Sequence, residues 1–580
     1  MSDARWGAGP RWVHRWIPPA LFVVAFGLFA TYSIPQLTFP YELKYAEGIV
    51  LDQARRVHEP PGLYPPFDEP PYLISNYPPV YPMVVSLFPK TPEAPFLVGR
   101  LISTLSVIAS AFLILMVVRR ETNDAGGLVA GAVFLLLPEV DDFGPLMRVD
   151  SFALALGLLG FYWTTTRSAR PVRSALGIVA FFFSIYSRHS MLGLPIAAFA
   201  LRFARESARR ERWTGGLVTL GWPLALLALG ATAFLVANII YDGEPFNHLI
   251  YLNRLPLTWN RVEMTWFASM SPWRYPIAIA ASLALVPPAV FGQERSLLAR
   301  WGFAAVVAML VGVFAYLAFS RLFSETGLAP TGALLVTRLF HAGWAVLVFG
   351  SLVGWSGIPE RDAPSRTIGL LLACGTATAA MIGRVGSDVN YLFEYYTFIA
   401  MAVGLAWARA EGWVRLLLWV MLGTFVVANL ATYPSSRNSR PERLQGIARR
   451  ASLLAELELL DDPILSQDPG LLAILGRPIY YQPFIYRQLA DAGIWDPSEL
   501  AQRVRDQEFP AILVVLNRPY AFLENGEPQF GPVVENAHTG FPKEIVEAYR
   551  EHYEPDPEHV VSETLNQWFI EVRYLLRPKK

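Results

Sequence analysis

One cysteine, Cys374, stands in a chain of 580 residues. An internal disulfide framework and a cysteine-cluster metal site are therefore excluded. Charge is also scarce. Asp, Glu, Lys and Arg make up 17% of the chain, against roughly a quarter in an ordinary soluble protein. The 48 basic residues balance 48 acidic ones, so there is no basic excess of the kind that binds nucleic acid. Little charge beside much apolar surface also excludes a disordered chain. No internal repeat and no low-complexity tract is present. Eight histidines occur, and His58, His189 and His341 lack metal-ligand spacing, so they read as structural.

What the chain does have is apolar and aromatic bulk: 53% hydrophobic residues, 13% aromatic, and a mean hydropathy of +0.34. The distribution is uneven. Residues 434–580 hold 16 Lys/Arg and 22 Asp/Glu, whereas residues 1–433 hold 32 and 26 over nearly three times the length. The pattern predicts a polytopic α-helical membrane domain over 1–433 and a soluble α/β domain over 434–580.

Apolar runs of about 17–25 residues suit helical crossings of a bilayer. They fall near 17–34, 97–118, 126–140, 150–166, 214–240, 275–292, 301–320, 333–356, 367–383, 393–408 and 414–433. The stretch 174–201 is apolar but broken by Ser187-Arg188-His189-Ser190. A mid-membrane charge is costly, so two short crossings meeting there are expected, which gives about 13 transmembrane helices. A β-barrel would need alternating segments of about ten residues, and these runs are continuous. The first run is expected to be an uncleaved span, because Phe-, Tyr- and Pro-rich sequence follows it. Gly127 and Gly131 have helix-packing spacing. Cys374 lies in an apolar span as a small core residue.

The arginine clusters orient the chain. They are Arg5/Arg11/Arg15, Arg119/Arg120, Arg167/Arg170/Arg173, the five from Arg202 to Arg212, Arg295/Arg300, Arg361/Arg366 and Arg409/Arg415. With thirteen crossings all fall on one face, read as cytoplasmic, and the C-terminal domain then lies outside the cytoplasm.

The opposite face carries the chemistry-bearing residues. A long first loop, 35–95, holds Glu42, Tyr45, Glu47 and a short helix, and closes on Asn76-Tyr77-Pro78-Pro79-Val80-Tyr81-Pro82. A long loop pinned to a membrane domain points to function. A second element, Pro138 to Asp150, places Asp141, Asp142, Arg148 and Asp150 at a helix start, where Asp150 can equally act as a cap. A third, Arg384 to Glu394, contains Gly386, Asp388, Asn390 and Tyr391. Ionisable residues crowd these span ends, and almost none lies mid-span. That placement suits an enzyme working at the membrane boundary better than a carrier with midplane acids.

On these motifs the chain resembles the GT-C superfamily of polyprenyl-phosphate-sugar-dependent glycosyltransferases, which includes protein mannosyltransferases, aminoarabinose transferases and Rhizobium lipopolysaccharide glycosyltransferase homologues. Tyr77-Pro-Pro-Val-Tyr81-Pro82 is similar to a Y-P-P-hydrophobic-Y-P signature, and Arg148-Val-Asp150 to an R-x-D element. Arg188-His189-Ser190 sits where homologues carry Lys-Gln-Ser. Gly386 to Glu394 is similar to a G-S-x-x-N-Y-x-x-E element. The resemblance implies transfer of a sugar from a polyprenyl-phosphate-linked donor to a glycan, lipid or protein acceptor at the extracytoplasmic face of a bacterial inner membrane.

By the same resemblance Glu47 is expected as catalytic base, with Glu42 second and Asp150 at the reacting centre. Arg384, Arg188, Arg338 and Arg148 are expected at the donor phosphate. Tyr45, Tyr77, Tyr81, Asp388, Asn390, Tyr391 and Glu394 are expected around the substrates. The family's adjacent acid pair is split here into Glu42 and Glu47, which leaves metal dependence, on Mg or Mn, open. Two rival readings stand beside this one: a lipid-linked-sugar flippase, and a non-catalytic membrane scaffold.

In the tail, 464–468, 478–482 and 511–516 read as strands, and helices are expected near 440–460, 484–492, 497–507 and 543–553. The resemblance gives the tail a role in acceptor handling or in covering the site.

Overall fold

In a computed structural model the described residues are 11–258 (apart from 90, 167–170 and 210–212), 363–409, parts of 419–427, and 441–580 (apart from 520–522, 525–526, 529–533, 536–539 and 565–568). The spans expected near 275–292, 301–320 and 333–356, most of 414–433, the 433/434 boundary, Arg338 and His341 lie outside them.

The first half is a helical bundle. Its helices are α1 (Arg11–Leu37), α2 (Glu47–Arg56), α3 (Val80–Ser86), α4 (Leu97–Glu121), α5 (Asp124–Leu135), α6 (Pro138–Phe143), α7 (Val149–Thr164), α8 (Pro171–Ile185), α9 (Gly193–Arg209) and α10 (Gly221–Ile240), followed by α11 (Ala363–Ala379) and α12 (Phe393–Arg409). Among the described residues four helical stretches are long and apolar enough to cross a membrane: Trp16–Leu37, Leu97–Glu121, Gly216–Ile240 and Val389–Ala408. Shorter apolar helices cover Asp124–Leu135, Val149–Thr164 and Pro171–Ile185. The stretch 174–201 is indeed two helices, α8 and α9, with the chain turning between them at Ser187–Leu192. Gly127 and Gly131 face α4: a Cβ added there would stand 2.7 Å from the Leu115 carbonyl and 3.1 Å from that of Ala111. At Gly127 the two backbones thus approach more closely than a side chain would permit.

Both ends of this bundle are polar, in different ways. At one end the arginine clusters meet. Arg205 of α9 reaches buried Glu121 of α4 at 3.0 Å, and Arg120 donates to the Tyr162 carbonyl at the end of α7. At the other end lie the starts of α4, α7, α9 and α12, and the first loop covers them.

The C-terminal unit contains α13 (Pro441–Ala448), α14 (Ala451–Glu458), α15 (Pro469–Ile474), α16 (Pro483–Asp491), α17 (Ser498–Arg505) and α18 (Lys543–His552). Its strands are β1 (Leu465–Ser466), β2 (Ile512–Pro519), β3 (Leu523–Glu524), β4 (Glu527–Pro528), β5 (Val534–Glu535), β6 (Tyr553–Thr564) and β7 (Phe569–Pro578). The main sheet runs β1-β2-β7-β6, with β1 parallel to β2, β2 antiparallel to β7, and β5 pairing β2. The run Ala511 to Val514 is buried throughout, as expected of a strand covered on both faces.

One expectation for this region needs correction, and one element is new. The segment 478–482 does not join the sheet. It pairs with the first loop instead, Tyr72 N–H donating to the Tyr480 carbonyl (2.9 Å) and Gln482 N–H to that of Tyr72 (3.1 Å). The β6–β7 hairpin, absent from the sequence reading, supplies the long strands of the sheet. Its alternation is blurred by charged and proline residues at 554–558.

The first loop and the C-terminal unit share one core. Tyr72 and Ile74 pack with Tyr481, Tyr486, Trp495 and Phe541, while Leu73, pointing the other way, packs with Leu453, Ile464 and Leu513. That alternation is the period of an extended strand. Gly48 of α2 lies against Gly470 of α15 so closely that a Cβ on Gly48 would strike the Gly470 Cα.

Candidate active site

Seven of the expected residues converge at the loop-covered end of the bundle. Asp150, in the first turn of α7, is buried and ion-paired with Arg188 from the turn between α8 and α9. Its Oδ1 also accepts from Asn390 Nδ2 at 3.0 Å, and its Oδ2 from Arg148 Nε at 3.3 Å. Arg188 donates to the Asn390 carbonyl (3.0 Å) and lies 4.3 Å from the centre of the Tyr391 ring. Arg148 reaches back into the first loop, to the Tyr45 carbonyl at 2.9 Å and the Tyr77 hydroxyl at 3.3 Å. Four segments far apart in the chain thus meet around one carboxylate.

The flank of this cluster is also cationic. Arg384 donates to Asn253, to its Oδ1 at 2.6 Å and to its carbonyl. Burial, then the charges of Arg384 and Arg188, push His189 down to about 4, so its imidazole is neutral near pH 7. Asp388 is exposed and accepts from Val389 N–H at 2.7 Å. Two arginines share the single Asp150 carboxylate and a third lies nearby, so the cluster carries a surplus of positive charge suited to an anion.

Three expected residues take other parts. Glu47 is fully buried, and four donors saturate its carboxylate: Arg100 Nε and Met147 N–H on Oε1, Arg100 Nη2 and Leu43 N–H on Oε2, all at 2.8–2.9 Å. Burial alone would raise this carboxyl, but Arg100 and the two N–H groups outweigh it and hold it below the usual range. A carboxylate so committed is a poor proton acceptor, and in this structure it anchors the first loop to α4 and the start of α7. Tyr81 is buried, its hydroxyl bonded to the Gly99 carbonyl (2.9 Å) and to Ser103 (3.0 Å), so that it packs α3 on α4. Glu394 caps α9, accepting from Gly193 N–H (3.1 Å) and Leu194 N–H (2.8 Å).

Glu42 is different. It is buried, yet its Oε1 has no hydrogen-bond partner. Burial first, then the charges of Asp468 and Glu47, push its carboxyl well above the ordinary value, with Arg450 opposing. Asp468 itself is pushed up by burial, but Arg573, 2.8 Å away, and Arg450 hold it low. The Glu42 carboxylate lies against Gly48 and Gly470, where the first loop meets the C-terminal unit.

Sequence reading missed Arg100, Asn253 and Asp468. Arg100 carried a signal: a charge in the first turn of an apolar span requires a buried partner. Asn253 and Asp468 carried none, because their roles depend on distant segments folding back. Among the described residues no group of three His, Cys, Asp or Glu side chains is placed to hold a cation.

No protein-family model and no curated protein matches the chain. Among solved structures it is similar to ArnT from Cupriavidus metallidurans in the apo state, with 13% identity, 96% of this chain and 97% of that one covered, and a TM-score of 0.40. The same protein bound to undecaprenyl phosphate gives 14% identity, 98% of each chain and 0.40. The archaeal oligosaccharyltransferase AglB from Archaeoglobus fulgidus, in complex with an inhibitory peptide and a dolichol-phosphate, gives 10% identity, 94% of this chain, 80% of that one and 0.47. Each of these alignments runs along nearly the whole of this chain.

Proposed function

We propose that this protein is a membrane glycosyltransferase that moves a sugar from a polyprenyl-phosphate donor to an acceptor hydroxyl at the extracytoplasmic face. The observation that carries the reading is the convergence of Tyr45, Tyr77, Arg148, Arg188, Asn390 and Tyr391 on Asp150 at one end of the bundle. Arg188 and Arg148, with Arg384 beside them, bind the donor phosphate, and guanidinium forks suit that geometry. Asp150 positions both arginines. The tyrosines line the approach of the sugar. The arginine-rich ends of α4 and α9 lie at the opposite end, which by the positive-inside rule is cytoplasmic.

Of the three buried first-loop carboxylates, Glu47 and Asp52 are ion-paired, while Glu42 keeps an oxygen without a hydrogen-bond partner. Glu42 takes the base role. It accepts the acceptor's proton as the hydroxyl oxygen bonds to the anomeric carbon. The bond from that carbon to the phosphate oxygen breaks, its electron pair leaving with polyprenyl phosphate, and the centre is inverted. A base whose pKa is raised toward the working pH suits such a step.

The test is transfer from a panel of undecaprenyl-phosphate sugars in proteoliposomes. Glu42→Gln is expected to lower transfer about 10²–10⁴-fold and keep lipid binding. Arg188→Ala is expected to weaken binding of undecaprenyl phosphate itself. Full transfer by both variants would overturn the reading, and movement of lipid-linked sugar across the bilayer without any transfer product would favour a flippase.

A further inference from the structure

One aromatic side chain from the C-terminal unit reaches the cluster. Phe484 stands in the first turn of α16, just after the residues that pair with Tyr72. Its backbone is fixed by that pairing and by Gln482, whose Oε1 accepts from Ile74 N–H at 2.9 Å. On one side its ring lies on Gly386, which turns with φ +78°, and a Cβ at Gly386 would come 2.8 Å from Phe484 Cε1. That turn carries Arg384 and Asp388. On the other side the ring meets Tyr45 at 6.4 Å between centres and 62° between planes. Tyr45 in turn gives its carbonyl to Arg148.

Phe484 thus touches both shoulders of the site, one from the first loop and one from the segment before α12. Asp150 and Arg188 are buried beneath, while Tyr45, Tyr77, Tyr391 and Phe484 all keep exposed surface. A charged floor with an aromatic rim matches a pyranose, whose hydroxyls need polar partners and whose C–H face packs on a ring.

We propose that Phe484 is a carbohydrate-contacting residue through which the C-terminal unit sets which sugar ring the site accepts. This rests on the reading of the cluster as a lipid-linked-sugar transferase site. The donor's sugar and a sugar of the acceptor offer the same C–H face, and the experiment separates them.

Full-length protein carrying Cys374→Ser and Phe484→Cys presents one thiol at the rim, and its rate of maleimide labelling is the readout. A polyprenyl-phosphate sugar or an envelope-derived oligosaccharide is expected to slow labelling about tenfold or more, while bare undecaprenyl phosphate leaves it within about twofold. Slowing by the sugar-lipid assigns the donor, and slowing by the oligosaccharide assigns the acceptor. Equal slowing by bare lipid phosphate overturns the proposal. So does no slowing by any probe while Arg188→Ala still weakens lipid binding, and in that case the transferase reading stands. If no lipid binds at all, both fall. Phe484→Leu gives an independent check, with relative kcat/KM across the sugar panel shifting about tenfold and Phe484→Tyr restoring the original order. A uniform fall across the panel would overturn the proposal.

Discussion

The Glu47 carboxylate and the Arg100 guanidinium meet as two parallel hydrogen bonds, 2.9 and 2.8 Å long, with no surface of either side chain exposed. Removing one partner of such a pair leaves a buried charge alone, at a cost of about 3–5 kcal/mol. Glu47→Gln is therefore expected to lose folded yield and thermal stability before it loses chemistry. Adding Arg100→Leu should recover part of the loss, measured by thermal scanning of purified protein. A Glu47→Gln variant as stable as wild type but inactive would return Glu47 to the base role.

Glu42 predicts the opposite balance. Its folded-state pKa lies above the ordinary value of 4.5, so the folded protein holds this proton more tightly than the unfolded chain. The resulting stabilisation is complete below 4.5 and is lost as pH rises through the folded-state value. Glu42→Gln does not titrate, so its stability relative to wild type should grow with pH from 4.5 upward while transfer collapses. Parallel stability curves for the two proteins would show that the Glu42 carboxyl is not displaced.

Arg188 reaches Asp150, the Asn390 carbonyl and the Tyr391 ring together. A lysine cannot reproduce the planar fork or the stacking. Arg188→Lys is thus expected to fall with Arg188→Ala, each losing about 2–5 kcal/mol of transition-state binding, read as kcat/KM for donor. Recovery by lysine would mean that charge alone suffices there.

The Gly48–Gly470 contact joins the first loop to the C-terminal unit. Gly48→Ala should push α2 off α15 at a cost of about 1–3 kcal/mol and speed trypsin cleavage at Arg55 and Arg56. Arg56 is buried and Arg55 donates to the Gly476 and Arg477 carbonyls. Unchanged protection of both sites would show that the joint tolerates separation.

Single cysteines at positions 206–208 and 497–500, in a Cys374→Ser background, test orientation. An impermeant maleimide added to intact cells should label the second set and spare the first. The reverse pattern would invert the site to the cytoplasmic face.

Much of the bundle could be read from apolar run length, because in a bilayer every backbone polar group must be satisfied within its own helix. The break at Arg188-His189 and the motif order followed from the same local rule, and so did the arginine-rich end, where Arg120 and Arg205 flank Glu121. What local pattern could not supply was partnership. Glu42 and Glu47 look alike in sequence, two acids in one loop. The fold brings Arg100 to one and leaves the other against Gly48 and Gly470, so one carboxylate is fully paired while an oxygen of the other has no hydrogen-bond partner. Likewise 478–482 has the pattern of a strand, but its hydrogen bonds go to Tyr72 across some four hundred residues of chain. Composition and periodicity are short-range properties, so they determined the helices and the motif-bearing ends. Burial, charge pairing and the shared core of loop and C-terminal unit arise from contacts between distant segments, and only the tertiary structure decided those.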